Sequence, residues 1–182
     1  MSRIGKKTIS VPEKVTIEFD PQTRICNIKG PLGELNQPIM DFVSVNLEGQ
    51  EIDLTIKDEK NRLQKSIWGT TRALINNMIV GVTNGYTKEL ELNGVGYRME
   101  LSGSELTLFV GFSHSIKIPI PQGIKLSLNK NILSGTSIDK QLIGNFFSSI
   151  HNIKPCEPYK HKGFKFPGRF YAKKVGKKGS KK

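Results

Sequence analysis

Cysteine is almost missing from this chain of 182 residues: Cys26 and Cys156 are the only two, 130 positions apart. No CxxC pair can be drawn from them, which excludes a zinc site built on cysteine pairs. A lone disulfide stays open, but two free thiols fit so basic a chain better. Histidine is nearly as scarce, at His114, His151 and His161, and never at HxxH or HExxH spacing. No stretch approaches the roughly 18 apolar residues of a membrane span, so no membrane partner is expected. The opening MSRIGKKTIS is basic but lacks the apolar stretch of a secretory signal, and none is expected there. Alanine occurs only at Ala73 and Ala172 while isoleucine, asparagine and lysine abound, a bias of AT-rich coding that says nothing about mechanism.

Acid is the third scarcity, and it is local. Residues His151 to Lys182 hold ten lysines and Arg169 against Glu157 alone, a formal charge of +10. The whole chain carries +12, so residues 1–150, with the other 17 basic and 15 acidic groups, hold only +2. Four glycines, three prolines and mutually repelling lysines offer too little apolar surface for this stretch to fold by itself. A block of this kind is usually an arm for a polyanion, and it would order on docking. Five rings are threaded through it: Tyr159, Phe164, Phe166, Phe170 and Tyr171. Lysine supplies phosphate neutralisation and counterion release, while the rings either stack on exposed bases or anchor the arm to its own domain. A tail that only raised solubility would have no use for them.

A hydrophobic content of 36% is low for one large core and adequate for two thin-layered domains. Val15, Ile17 and Phe19 alternate with polar residues, Asp20-Pro21 turns the chain, and Arg24 to Lys29 returns. Alternation resumes at Val43, Val45 and Leu47 and at Ile52, Leu54 and Ile56, giving four strands of an antiparallel sheet with one wet face. Leu63, Ile67, Thr71, Leu74, Ile75 and Met78 then fall at helical spacing. Gly81 stands where a helix stop is expected, and GVTNGY (81–86) reads as a linker.

The same order then repeats. Strands are expected around Leu90 and Leu92, Tyr97 to Leu101, Leu106 to Val110, Ile116 to Ile120 and Ile124 to Leu128. A second helix follows with Ser137 or Asp139 as N-cap and Leu142, Phe146, Ile150 and Ile153 on its buried stripe. At an offset of 75, Lys65, Ile67, Trp68, Gly69, Ile75, Asn77 and Met78 face Lys140, Leu142, Ile143, Gly144, Ile150, Asn152 and Ile153, which looks like an internal duplication. Gly69 and Gly144 are expected to let each helix approach its sheet closely. The fold expected is α+β, a tandem duplication of two small domains, each a mostly antiparallel sheet packed with a helix, plus a basic tail. The boundaries expected are 1–82, 83–155 and 156–182.

A search for catalysis finds little. His114 has Ser113 and Ser115 beside it, but neighbours in sequence do not make a triad. Asp53, Asp58 and Glu59 read as a solvated face. Gly94-Val95-Gly96-Tyr97-Arg98 has Met99 where a third glycine would complete a phosphate loop, so a tight strand connection is expected, with a partner contact through Tyr97 or Arg98 as the other reading. No enzyme activity, metal, cofactor or small-molecule substrate is expected. A free nucleic-acid module acting in trans on messenger RNA or DNA and a small hydrolase using His114 are the rival readings.

CEPYKHKGFKF (Cys156 to Phe166) resembles the signature of the bacterial-type large-subunit ribosomal protein six family, Pro/Ser-Glu-Pro-Tyr-Lys-Gly-Lys-Gly and an aliphatic residue. Glu157, Pro158, Tyr159, Lys160, Lys162 and Gly163 match; Cys156, His161 and Phe164 depart. At His161 the family glycine could take backbone angles that histidine resists, so a reshaped loop is one expectation and a stacking or phosphate contact from the imidazole another. SRIGKKTISVPEKV (Ser2 to Val15), Gly69 to Arg98, VGFSH (Val110 to His114) and IDKQLIGN (Ile138 to Asn145) are similar to further family segments in the right order. The resemblance implies a structural protein of the large ribosomal subunit, in a bacterial cytoplasm or an organelle such as a plastid. It implies binding to large-subunit rRNA near the sarcin–ricin loop and stalk base, among neighbouring ribosomal proteins and with translation factors nearby. Carried over by motif, the rRNA-binding residues are Tyr159, Lys160, Lys162 and Gly163; Lys154, Lys165, Arg169, Lys173, Lys174, Lys177 and Lys178 join them on charge.

Overall fold

A computed structural model describes residues 4–58 and 60–177. The chain forms two compact units, one reaching to Tyr86 and taking in Ile138–Lys140, the other made of Thr87–Ser137 and the chain from Gln141 onward.

In the first unit, β2 (Thr16–Asp20) and β3 (Ile25–Gly30) meet at a turn built by Asp20, whose carboxylate accepts from the Gln22 N–H at 2.9 Å and the Thr23 hydroxyl at 2.8 Å. Those two bonds, the Gln22 one foremost, hold its carboxyl below the usual range. β4 (Gly33–Pro38) completes a three-stranded sheet in the order β2-β3-β4. A second sheet has the order β1-β6-β5, from β1 (Ile9–Ser10), β5 (Val43–Glu48) and β6 (Glu51–Ile56). The unit thus holds six strands where alternation indicated four. The two extra ones are hard to read because β4 carries a single aliphatic side chain, Leu35, and β1 is two residues long.

Helix α1 (Arg62–Asn84) starts where the Asn61 side chain accepts from the Leu63 N–H at 2.9 Å, and it buries Trp68, Thr71, Ile75, Met78, Ile79 and Val82. It does not stop at Gly81. It runs to Asn84 and ends on Gly85, whose φ of +74° suits glycine. Gly81 is buried inside the helix because an added Cβ there would collide with the Ile138 carbonyl oxygen of the same unit. The segment read as a linker is therefore helix followed directly by strand. The core gathers Ile9, Cys26, Ile28, Val43, Ile52, Trp68, Ile75 and Val82 among others.

The second unit has β7 (Tyr86–Asn93), β8 (Arg98–Ser102), β9 (Glu105–Phe109), β10 (Ile116–Pro119), β11 (Ile124–Asn129), β12 (Ile132–Ser137), α2 (Lys140–Ile153) and β13 (Gly163–Lys165). β10-β9-β8 form one sheet and β11-β12-β7-β13 the other. Taken strand by strand, β8-β9-β10 repeats β2-β3-β4, and β7-β12-β11 repeats β1-β6-β5. Among the described residues β13 alone has no counterpart in the first unit. α2 buries Ile143, Phe146, Phe147 and Ile150, a stripe shifted from the expected one, with Leu142 and Ile153 only half-buried. Close approach of helix and sheet comes from the strand side. A Cβ added at Gly135 on β12 would meet the Phe147 ring at 2.6 Å, whereas one at Gly144 on α2 would meet only Lys88 Nζ at 3.6 Å. The glycine that makes room is thus Gly135, not Gly144.

Candidate nucleic-acid interface

The basic arm is fastened to the second unit by its least basic part. After α2, the Lys154 carbonyl accepts from the Phe164 N–H at 2.9 Å and Pro155 bridges Phe164 in parallel. β13 then adds itself to the free edge of β7, with Gly163 opposite Asn93, Phe164 opposite Leu92 and Lys165 opposite Glu91. Between these points the motif closes a small turn. The Glu157 N–H donates to the Lys162 carbonyl at 2.8 Å, and the His161 N–H to the Glu157 carbonyl at 2.9 Å. His161 adopts φ +55°, the left-handed conformation open to the family glycine, so the substitution keeps a positive φ. Its Nε2 is buried and finds no hydrogen-bond partner among the described residues.

Three of the five rings anchor the arm and two are exposed. Phe164 is 0% exposed and belongs to the core, which explains why a residue departing from the aliphatic pattern still fits: the position needs apolar volume. Phe166 is half-buried and stacks on His151 with ring centroids 5.1 Å apart. The Tyr171 hydroxyl accepts from the Phe166 N–H at 3.0 Å. Tyr159 and Phe170, at 49% and 89% exposed, keep their faces free. The Lys174 N–H donates to the Pro158 carbonyl at 3.0 Å and draws the arm back over the turn. A stretch expected to order only on docking is thus held as far as Lys174, because Phe164, Phe166, Tyr171 and the backbone bonds supply what its lysines cannot.

Lys160, Arg169, Lys173, Lys174 and Lys177 are exposed, and Lys154, Lys162 and Lys165 half-buried. Gly163 is buried, with φ +121°, and a Cβ there would fall 2.6 Å from the Pro155 carbonyl oxygen and 2.7 Å from that of Lys154. Lys178 and Glu59 lie outside the described residues. Among the described residues none of these cations lies in an ion pair, so their charge is open to an external anion. β13 was the site element missed by sequence reading, since three residues inside a lysine-rich run give no period to detect. His114 is exposed on the loop after β9, and among the described residues no three His, Cys, Asp or Glu side chains gather at metal-binding distance. Both cysteines are free.

Comparison with known proteins adds a further observation. A family model described as Ribosomal protein L6 matches residues 11–85 and again 93–166, so each match contains one helix and the second ends in the residue after β13. The chain is 44% identical to the large ribosomal subunit protein uL6 of Phenylobacterium zucineum over 179 residues, covering 98% of this chain and 99% of that one. It is 44% identical to the large ribosomal subunit protein uL6c of Guillardia theta over 184 residues and to uL6 of Trichlorobacter lovleyi over 182, with complete coverage of both partners in each case.

Proposed function

The chain belongs to the ribosomal protein L6 family, and from that premise we propose that it docks on large-subunit rRNA near the sarcin–ricin loop and the stalk base, where translation factors bind. It is a structural constituent of the large ribosomal subunit, not an enzyme, and resides on ribosomes of a bacterial cytoplasm or an organelle. Large-subunit rRNA and neighbouring ribosomal proteins are its partners. The segment 156–182 is the main binding element, carried on the second sheet-plus-helix domain. Tyr159, Lys160 and Lys162 touch the RNA directly, and Gly163 sets the turn that presents them. Lys154, Lys165, Arg169, Lys173, Lys174, Lys177 and Lys178 neutralise phosphates around it.

One observation carries this reading: the motif turn is fixed on both sides, by Glu157–Lys162 pairing and by β13, while Tyr159 and Lys160 point to solvent. A turn already folded loses little conformational entropy on binding, so more of each phosphate contact appears as affinity. With roughly 6–10 phosphates neutralised, affinity for protein-free large-subunit rRNA falls about 10³–10⁵-fold between 50 and 200 mM salt. Lys160→Ala and Lys162→Ala each lower the log–log salt slope by about one. A slope unchanged in the double variant removes the turn from the interface. The full-length protein also sediments with large subunits through a high-salt gradient; recovery in the free fraction favours a module acting off the ribosome.

A further inference from the structure

Two loops of the second unit remain unaccounted for by the lysine-rich arm, and they lie at the end of β7 where β13 joins it. One is NGVGY (93–97), whose Asn93 is the partner of Gly163 in the β7–β13 register. The other is VGFSHS (110–115). The Tyr97 ring ties them together. A Cβ added at Gly94 would meet that ring at 2.6 Å and one at Gly111 would meet it at 3.1 Å, so both loops approach the ring closely through glycines. The Tyr97 N–H donates to the Gly94 carbonyl at 3.2 Å, which closes the first loop. The two loops expose apolar side chains: Val95 is 93% exposed and Phe112 46%. Lys154 Nζ stands 5.3 Å from the centre of the Phe112 ring, which joins the patch to the basic surface.

Neighbouring exposed apolar groups mark a contact surface, and the surrounding charge selects its occupant. Neither loop contains an acid. Glu91 lies opposite Lys165 across the ladder and Glu100 is paired with Arg98 at 3.4 Å. Lys154 stands by the patch, and Ser113 and His114, both exposed, follow Phe112 in its loop. An exposed aromatic ring with an ammonium over one side and no acid in either loop is suited to a nucleobase stacked on its other side, with the phosphate meeting the ammonium. It does not suit a basic protein, and RNA is the polyanion already invoked for the adjoining arm.

We propose that the 93–97 and 110–115 loops form a second, largely uncharged contact with the same RNA, in which Phe112 stacks on an unpaired base and Val95 packs beside it. The proposal rests on the RNA-binding reading above but differs from it in physical signature. Loss of lysine contacts changes the salt slope; loss of a stack lowers affinity at every salt concentration and leaves the slope alone.

The test is filter binding of the full-length protein to protein-free large-subunit rRNA across 50–200 mM salt. Phe112→Ala is expected to weaken binding roughly 5- to 150-fold, the effect of removing one base–aromatic stack, at unchanged slope. Phe112→Trp restores binding. Val95→Asp, at a side chain that packs on nothing, weakens binding at least about tenfold by placing a carboxylate against phosphate. If Phe112→Ala and Val95→Asp both bind within twofold of the parent while Lys160→Ala still lowers the slope, the loops are not an RNA contact and only the arm is. If instead the two variants bind RNA normally but large subunits assembled with them lack a neighbouring protein, the patch faces protein and the proposal is overturned.

Discussion

Phe164 stands directly opposite Leu92 across the β13–β7 ladder, and solvent reaches neither side chain. The most apolar residue of the arm therefore determines where its charges are presented. Phe164→Ala is expected to cost about 3–5 kcal/mol, the range for emptying a buried aromatic site. It leaves net charge untouched, yet rRNA affinity should fall, because Lys160 and Lys162 are no longer held. Urea titration measures the first effect, filter binding to rRNA the second, and trypsin cleavage after Lys160, Lys162 and Lys165 the release of the arm. A variant as stable and as trypsin-resistant as the parent would show that β13 does not fasten the arm.

Gly163 gives an independent handle on the same joint. Alanine there needs a Cβ within 2.7 Å of two carbonyl oxygens at φ +121°, a region that side chains avoid. Gly163→Ala is expected to destabilise the second unit by more than about 2 kcal/mol, beyond the usual effect of a surface substitution. The loss should appear as early exchange of the Phe164 amide, which donates to Lys154. Retention of that protection would mean the turn accommodates a methyl group.

His161 supplies the opposite sign. A histidine at φ +55° bears roughly 1–2 kcal/mol of left-handed strain, and its buried Nε2 lacks a partner among the described residues. Glycine removes both costs but adds about 0.5–1 kcal/mol of chain entropy in the unfolded state. His161→Gly should thus leave stability equal to the parent or raise it by up to about 1 kcal/mol, with the salt slope of rRNA binding unchanged. A clear loss of stability in the denaturant midpoint would assign the imidazole a packing role larger than its strain.

Much of the fold is legible because alternation and helical spacing are strong wherever one face is buried: Ile28 in β3, Ile52 and Leu54 in β6, Thr71, Ile75 and Met78 in α1, although Leu63 of the expected stripe is exposed and Trp68 and Val82 are buried in its place. The family motif and the charge of the arm likewise mark a candidate site within the sequence itself. Reading failed where the physics is not periodic. β4 offers only Leu35 to a pattern search, and its pairing with β3 comes from backbone bonds. Gly81 looks like a stop because sequence does not reveal that Ile138 passes too close for a side chain. In the arm, lysines hide a three-residue strand whose existence depends on a free sheet edge about 70 residues earlier. Local composition carries no trace of that edge.

Cys26 gives a prediction about pH. It is fully buried in β3, and burial pushes its thiol up from an ordinary value of 9.0 to about 11. The folded state therefore holds the proton more tightly than the unfolded state does. Stability from this group is complete below pH 9, where both states are protonated, and it is lost as pH rises from 9 towards 11 and the unfolded thiol ionises first. Two units of difference correspond to about 2–3 kcal/mol. Burial also raises the Tyr86 hydroxyl above its ordinary value, a further alkaline contribution common to parent and variant, so the thiol is isolated by difference. The parent should lose about 2–3 kcal/mol more than Cys26→Ala between pH 8.5 and 11 in urea titrations, whatever the variant loses at neutral pH through its smaller side chain. Iodoacetamide at pH 8.5 should label the half-exposed Cys156 well before Cys26. Parallel alkaline profiles for parent and variant would mean that the unfolded chain shields this thiol as the core does.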